Sequence, residues 1–431
     1  MPGSSRAVLL AVALLGPVAS SSQAQEPQLA GEWKGAWMRD SDTLAVTMRF
    51  ARSADTWRGE FDSDRLRVEG IPFTEVEYDP PNVRLRMVGD ATTLEFSGRL
   101  AGDSLIGTLR ESGAEGRFAF VRSGLPEPAS REEEVRFANG AVELSGTLLL
   151  PAGPGPHPAI VFLHGSGPEA RWASRFLARR MSRAGLAVLI YDKRGVGGST
   201  GSWQDSGFEE LAHDAAAAVA FLRERSDIAR VGLHGHSQGG TIAPMAAALS
   251  SADFVVASAA SGLPMDRVEV YSIGNAVGVD SLPPEEAALA REWIEAIVAV
   301  AYHGAARDEL DELTTRARDY AWFFEPPSLD GHYWAFSRRI AGYDPLDWWR
   351  RVEAPVLLVY GAEDERVPAE ASRAAIVAAI ETGAGARVTA RVFEGADHTF
   401  RLRRPGDVWP RTVEGYPDAI GEWLETALLA P

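Results

Sequence analysis

The chain has 431 residues, a formal net charge of −17 at pH 7 and no cysteine. Aspartate and glutamate (60) outnumber lysine and arginine (43), and no basic run is present, which argues against nucleic acid or an anionic membrane as a partner. The missing cysteine excludes a cysteine nucleophile and Cys-based zinc ligation, and there is no H-E-x-x-H motif. We therefore expect no metal and no cofactor.

The first 24 residues have the pattern of a secretory signal peptide. They contain a single arginine, an apolar core at residues 7–18 and a small-residue end, with cleavage expected after Ala24. The apolar core is too short for a membrane anchor, and no later apolar run approaches the ~18 residues of a span. The pattern predicts an exported protein, periplasmic or secreted and of bacterial type, without a membrane span in its mature form.

Residues 25–125 predict a small all-β domain. Apolar and polar residues alternate in short runs such as 44–50 and 83–88, and glycine, proline and aspartate separate these runs. Short strands at this spacing are typical of a sandwich or a barrel. Residues 126–134 mix proline with charge and predict a linker, so we expect the two parts of the chain to fold separately.

The second part, residues 135–431, opens with a predicted hairpin at 135–150 and continues with an apolar strand at 159–163. A glycine-rich loop follows this strand. Acyl transfer places negative charge on a carbonyl oxygen, and backbone N–H groups in such a loop can stabilise it. We expect Ser166 to supply one such donor, with Gly167 as the alternative.

The segment Gly235-His236-Ser237-Gln238-Gly239 lies between an apolar strand at 228–233 and a helical run at 241–249. Strand, G-x-S-x-G turn and helix together are the context of a nucleophile elbow, in which a strained turn exposes a serine hydroxyl. Ser237 is therefore the predicted nucleophile. The backbone N–H of Gln238 is the second predicted oxyanion donor.

A serine nucleophile needs an imidazole base and a carboxylate to orient it. Among the eight histidines, His398 lies in a loop after the strand-like run 387–393, near the end of the chain, as the order serine, acid, histidine requires. The acid should follow the apolar strand 355–360. Asp364 is our choice, and its neighbours Glu363 and Glu365 remain alternatives.

Between the two halves of this sheet, residues 263–349 predict a helical cap. Runs at 285–302 and 306–324 have the pattern of amphipathic helices. Aromatic side chains are concentrated in this insertion, and we expect some of them to line the substrate pocket. The candidates are Trp322, Phe323, Phe324, Trp334 and Phe336.

Taken together, five motifs resemble the α/β-hydrolase superfamily, and within it the dienelactone-hydrolase or prolyl-oligopeptidase-like branch of serine esterases and peptidases. The resemblance covers residues 135–429. It implies a mostly parallel sheet with helices on both faces and a cap insertion, and it makes Asp192 and Arg194 structural supports of the site. The motifs are HGSG at 164–167, D-x-R-G-x-G-x-S at 192–199, GHSQGG at 235–240, G-x-x-D-x-x-V-P at 361–368 and Asp397-His398.

These features predict an exported serine hydrolase, most simply a carboxylesterase, that acts on a small-molecule ester or a short peptide through an acyl-enzyme. An aminopeptidase or acyl-peptide hydrolase with the same machinery is the alternative within enzymes. An alternative of another class is a non-catalytic ligand-binding protein on a hydrolase scaffold. Oligomeric state leaves no sequence signature here.

Overall fold

The computed structural model describes residues 29–429, apart from 54–55, 89–92, 125–129, 327–330 and 403. The predicted signal peptide and residues 126–129 of the predicted linker lie outside the described residues.

The first domain is a nine-stranded sheet in which every pair of neighbours is antiparallel. Alternation of side chains explains the strands: in the run 82–88, for example, Val83 and Leu85 are buried between exposed neighbours. The spatial order of the strands is β4-β3-β2-β1-β9-β8-β7-β6-β5. Their bounds are β1 Gly31–Arg39, β2 Asp42–Ser53, β3 Thr56–Ser63, β4 Val68–Pro72, β5 Glu75–Asp79, β6 Asn82–Val88, β7 Thr93–Ala101, β8 Ser104–Glu111 and β9 Ala114–Gly124.

This sheet curls into a half-barrel. Its two edge strands, β4 and β5, are consecutive in the chain, so the short connection between them holds the two edges close together. Between them, the N–H of Phe73 donates to a carbonyl of β3 at 2.8 Å, and the N–H of Thr74 donates to a carbonyl of β6 at 2.7 Å. The concave side is filled with aromatic side chains. Trp37 is 1% exposed, and its ring centroid lies 5.0 Å from that of Phe61 and 5.1 Å from that of Phe96.

The second domain is built on an eight-stranded mixed sheet in the order β10-β11-β13-β12-β14-β15-β16-β17. The strand pairs β10/β11 and β11/β13 at one edge are antiparallel, and the remaining neighbours are parallel. The bounds are β10 Ser130–Asn139, β11 Val142–Pro151, β12 His157–Leu163, β13 Ala187–Tyr191, β14 Ile228–His236, β15 Val255–Ser258, β16 Val356–Gly361 and β17 Val388–Phe393.

Residues 130–134, which the sequence assigns to the linker, are the first residues of β10. They form an edge strand, where charged side chains remain in contact with water and with counter-ions. Glu132 pairs with arginines of the first helix, and Glu134 accepts a hydrogen bond from Thr147 of β11 at 2.7 Å. The charge density that suggested a linker is therefore the pattern of an edge strand.

Helices cover both faces of this sheet, because successive residues of its strands point to opposite sides. Ala159 and Val161 of β12 pack with α2 and α3, whereas Ile160 and Phe162 pack with α1 and α10. No helix among the described residues is apolar over enough residues to cross a bilayer. The helices outside the cap are α1 Arg175–Arg183, α2 Phe208–Arg223, α3 Gln238–Ser250, α9 Ala369–Thr382 and α10 Tyr416–Leu429.

A helical insertion between β15 and β16 occupies the position predicted for the cap. The second amphipathic run ends at Ala317 rather than at residue 324. Pro326 disfavours helical backbone in the residue before it, and the aromatic residues 322–324 turn back onto Trp293 instead. The cap helices are α4 Met265–Val277, α5 Pro284–His303, α6 Asp308–Ala317, α7 His332–Ile340 and α8 Pro345–Trp349.

A side chain of the second domain belongs to the core of the first domain. A short ribbon formed by β18 (Arg401–Leu402) and β19 (Arg411–Thr412) leaves the hydrolase domain. Trp409, in the connection between these strands, is 5% exposed and lies among the core side chains of the β-domain. The β-domain is thus packed around a side chain that the second domain supplies.

Candidate active site

The predicted nucleophile lies on a sharp turn between β14 and α3. Ser237 has φ 56° and ψ −119°, a strained conformation that a non-glycine residue adopts only where the surrounding structure enforces it. The N–H of Ser237 donates to the carbonyl of Ser258 at 2.9 Å. Strand and helix approach so closely here that a Cβ on Gly235 would lie 2.2 Å from the carbonyl carbon of Gly239. The turn therefore requires glycine at position 235.

The structure brings the predicted base and acid to this serine. His398 Nε2 lies 2.9 Å from Ser237 Oγ, and His398 Nδ1 lies 2.9 Å from both carboxylate oxygens of Asp364. Asp364 is 2% exposed, and its Oδ1 also accepts hydrogen bonds from the N–H groups of Arg366 and Val367, each at 2.8 Å. The carboxylate is therefore fixed in place, and it fixes the imidazole ring in turn.

The backbone of His398 is held from two sides. Glu365 Oε2 accepts a hydrogen bond from the His398 N–H at 3.2 Å, and His236 Nε2 lies 2.9 Å from the His398 carbonyl oxygen. Burial lowers the pKa of His236 to about 4, so its ring is neutral at neutral pH and must carry the proton on Nε2 to donate this bond. His236 and Glu365 thus have supporting positions that sequence reasoning did not assign.

The glycine-rich loop after β12 is held by a buried lysine that sequence reasoning also missed. Lys193 is 2% exposed, and its Nζ donates to the carbonyls of Gly165 (2.8 Å) and Gly167 (3.0 Å) and to Gln238 Oε1 (2.8 Å). In a trans peptide, C=O and N–H point in opposite directions. Because Lys193 fixes the carbonyl of Gly165, it also fixes the direction of the Ser166 N–H, the predicted oxyanion donor.

Asp192 and Arg194, on either side of this lysine, form ion pairs with other residues of the fold. Both carboxylate oxygens of Asp192 accept hydrogen bonds from the guanidinium of Arg171, at 3.1 and 2.9 Å. Arg194 makes a bidentate pair with Asp214 of α2, with both distances at 2.7 Å. Both pairs are buried, and they fasten the loop after β13 to neighbouring elements.

The five cap aromatics predicted for the pocket lie in three different places. Three of them surround Trp293 inside the cap, with ring centroids 5.2–5.9 Å away, and Trp334 is 2% exposed in the core. Of the five, Phe336 alone lies near the lysine that holds the glycine-rich loop. Its ring centroid is 6.4 Å from that of Trp203, whose ring is 5.6 Å from Lys193 Nζ. The three around Trp293 are Trp322, Phe323 and Phe324.

The cap also contacts the loop of Asp364 and helix α3 directly. The hydroxyl of Tyr271 in α4 donates to the carbonyl of Asp364 at 2.8 Å, and the hydroxyl of Tyr343 donates to the carbonyl of Thr241 in α3 at 2.7 Å. Within the described parts of the chain, no cluster of three or more histidine, aspartate or glutamate side chains is arranged to hold a metal ion.

Residues 154–295 match the family described as serine aminopeptidase S33. The chain is also 36% identical over 149 residues to Esterase EstD of Thermotoga maritima, covering 33% of this chain and 35% of that protein. It is 39% identical over 92 residues to Protein ABHD12B of Homo sapiens, covering 21% of this chain and 25% of that protein.

The segment 154–295 is thus similar to serine hydrolases of the α/β-hydrolase type. The resemblance inferred from the sequence motifs is therefore confirmed at the level of the superfamily. The matched segments span only 35–40% of the length of the first curated relatives. Among solved structures, the fold is similar to that of an esterase from Pyrococcus furiosus, with 18% identity and a TM-score of 0.46 over 71% of this chain and 95% of that chain.

Proposed function

We propose that this hydrolase-fold protein cleaves carboxylic esters through an acyl-enzyme, with Ser237 as nucleophile, His398 as base and Asp364 as the orienting acid. The observation that carries the proposal is the continuous relay of hydrogen bonds, 2.9 Å from Asp364 to His398 and 2.9 Å from His398 to Ser237. Both the nucleophile–base distance and the base–acid distance fall within the reach that proton transfer needs.

In the proposed reaction, Ser237 Oγ attacks the ester carbonyl carbon while His398 Nε2 takes the hydroxyl proton. The N–H groups of Gln238 and Ser166 bind the oxyanion that forms. His398 then gives its proton to the leaving alkoxide, and the alcohol departs. A water molecule, deprotonated by His398, attacks the acyl-enzyme, and the proton returns to Ser237 as the carboxylic acid leaves.

One similarity supports an ester as the substrate, and another supports a peptide. The relative from Thermotoga maritima is named an esterase, whereas the matching family is described as serine aminopeptidase. Esters need less assistance to the leaving group than amides, so a small ester is the substrate that this machinery serves with the fewest further requirements. A short peptide is the second candidate and uses the same relay.

Labelling and turnover with Ser237→Ala test this proposal. A fluorophosphonate should label Ser237 in the wild type, and Ser237→Ala should lose both the label and about 10⁴-fold or more of its p-nitrophenyl ester turnover, with an unchanged unfolding midpoint. Aminoacyl p-nitroanilides assayed in parallel distinguish the peptidase. Labelling of a different serine, or full turnover by pure Ser237→Ala, would reject the assignment.

We further propose that residues 1–24 direct export and are removed. Their charge, apolar core and small-residue end support this proposal. Mass spectrometry of the protein recovered from the periplasm or medium of a bacterial host should give an N-terminus at Gln25. Recovery of the intact N-terminus from the cytoplasm alone would contradict it.

A further inference from the structure

The chain that follows His398 leaves the hydrolase domain and attaches to the β-domain. Trp409 is buried in the core of that domain. The N–H groups of Val408 and Trp409 donate to Asp42 Oδ2, at 2.9 and 3.3 Å. The ribbon of β18 and β19 is therefore attached at its tip to strand β2.

Arg65 of the β-domain fastens the same ribbon. Its guanidinium makes a bidentate pair with Asp42, with both distances at 2.7 Å, and also donates to the carbonyl of Trp409 at 2.7 Å. Its own carbonyl accepts a hydrogen bond from the Thr412 hydroxyl at 3.2 Å. A bidentate, charge-assisted pair of this kind has a defined geometry as well as strength, so the ribbon has one position relative to the β-domain.

Two residues later in the chain, Arg67 contacts the loop of residues 397–400, here called the histidine loop. Its guanidinium donates to the carbonyl of Thr399, the residue after His398, at 2.8 Å. The same guanidinium lies 4.7 Å from the centroid of the Tyr416 ring, and Tyr416 stacks on Phe400 with centroids 3.9 Å apart. The Arg67 side chain therefore contacts the backbone of the loop directly, and it also contacts the aromatic pair that packs beneath the loop.

The backbone of the loop that carries His398 is thus held by side chains from both domains. Glu365 and His236 of the hydrolase domain hold the N–H and the carbonyl of His398, and the β-domain holds the next carbonyl through Arg67. Phe400 has φ 60°, so the loop includes a strained residue that its surroundings must stabilise. We expect the loop to relax when one of these contacts is lost.

We propose that the β-domain positions the base of the active site, with Arg67 holding the loop of residues 397–400 so that His398 remains aligned with Ser237. This inference rests on the proposed function, since it assigns a role relative to that base. Arg67 acts through the loop backbone and is a positioning residue. A displacement of about 1 Å in such a site lowers turnover on the order of 100-fold.

Three substitutions at Arg67 and one matched control test the proposal in the full chain. Arg67→Ala removes all contacts, Arg67→Met keeps apolar packing on Tyr416 without the hydrogen bond, and Arg67→Lys keeps a donor. Arg99→Ala removes an exposed arginine of β7 and is the control. The readouts are the second-order rate of Ser237 labelling by a fluorophosphonate, and kcat and KM for p-nitrophenyl acetate per titrated site.

Arg67→Ala and Arg67→Met should lower the labelling rate and kcat by about 10- to 100-fold, with KM within about twofold of the wild type. Arg67→Lys should recover part of the loss, and Arg99→Ala should match the wild type. If Arg67→Ala does not fold, Arg67→Met decides.

Two outcomes would overturn the inference. The first is a wild-type labelling rate in Arg67→Met. The second is a fall in activity per milligram with unchanged kcat per titrated site, which would mean that Arg67 only stabilises the fold. A wild type that is labelled at Ser237 but cleaves no ester would reject the proposed substrate class, and the labelling rates would still judge the role of Arg67.

Discussion

Three carboxylates follow β16 in succession, and their surroundings distinguish them. Glu363 is exposed to solvent, Asp364 is buried against the imidazole, and Glu365 binds the backbone N–H of His398. The sequence favoured Asp364 but left its neighbours open, because a loop after a strand does not reveal which side chain turns inward. The structure gives each carboxylate a different environment and so a different expected effect.

Asp364→Asn should lower kcat by about 10⁴-fold, because an amide stabilises neither the productive tautomer nor the imidazolium that forms. Glu365→Gln should have a smaller effect, since its bond to the His398 N–H is 3.2 Å long and a glutamine oxygen can still accept it. Glu363→Gln is the matched control and should leave kcat unchanged. Ester kinetics at saturating substrate measure all three; a Glu363→Gln variant as impaired as Asp364→Asn would contradict the assignment.

The burial of Lys193 predicts an alkaline limit for activity. Burial lowers the pKa of its ammonium group to about 8, and the ammonium has three acceptors. A neutral amine has two N–H groups, so deprotonation releases at least one of the contacts of Lys193 with Gly165, Gly167 and Gln238. We expect kcat to fall as pH rises through about 8, and Lys193→Met to be impaired at all pH values without this alkaline fall.

The unfolding midpoint separates this effect from denaturation. Burial lowers the pKa of Lys193 in the folded protein to about 8, from its ordinary value of 10.5. The unfolded chain therefore binds more protons between pH 8 and 10.5, and the contribution of Lys193 to stability rises with pH across that window. A fall in kcat at constant or rising midpoint supports the local explanation. An alkaline limb that persists in Lys193→Met would refute it.

The residues that sequence predicted and those that it missed differ in how far their roles depend on tertiary contacts. Ser237, Asp364 and His398 each follow a strand in a fixed chain order, so local pattern was enough to select them. Lys193 contacts Gln238 across 45 positions, and Arg67 contacts Thr399 across 332. Nothing in the residues around either cation indicates such a partner.

At the scale of elements, apolar runs located the strands of the hydrolase sheet, because buried strands are almost continuously apolar. The edge strand β10 was missed over residues 130–134, since an edge strand carries charge that resembles a linker. The second amphipathic helix of the cap was predicted to end too late, at residue 324. Aromatic residues continued the apolar pattern beyond Ala317, although the backbone turns there.

Glycine substitutions test the strand–turn–helix element that presents Ser237, the proposed nucleophile. A Cβ at Gly235 would lie 2.2 Å from backbone of α3, so Gly235→Ala must displace the turn. We expect a loss of about 1–3 kcal/mol in the free energy of unfolding and of roughly 100-fold or more in kcat. Differential scanning calorimetry and ester kinetics measure the two effects.

The matched control is Gly274→Ala in the cap helix α4, where an added Cβ meets nothing within 4 Å. Alanine is the better helix former by about 0.8–1.0 kcal/mol, so this variant should be slightly more stable than the wild type and equally active. If Gly235→Ala behaved like Gly274→Ala, close packing could not be the reason for glycine in the turn.

At the scale of the whole molecule, the chain returns to its first domain after the last residue of the candidate active site. The composition change near residue 125 located the boundary between an antiparallel and a mixed sheet. It could not show that Trp409, far along the chain, completes the core of the first domain. A single aromatic in a loop has the same sequence appearance whether it is solvated or inserted into a neighbour.

A truncated chain beginning at Ser130 tests this dependence. Removing the β-domain exposes Trp409 to solvent and removes the Arg67 hydrogen bond to the histidine loop. We expect the truncated protein to aggregate more readily, because an exposed tryptophan next to apolar surface promotes association. Size-exclusion chromatography measures this change against the full chain.

Combining the truncation with Trp409→Ser separates solubility from catalysis. The serine should restore a monodisperse protein, whereas kcat on p-nitrophenyl acetate should remain at least about 10-fold below that of the full chain, because no residue replaces Arg67. KM should change little, since this small ester needs only the relay and the oxyanion donors. If the soluble truncation instead reached the kcat of the full chain, the hydrolase domain would hold its histidine loop unaided. The separate folding that the sequence suggested would then be correct, and the contacts of Trp409 and Arg67 would contribute to stability alone.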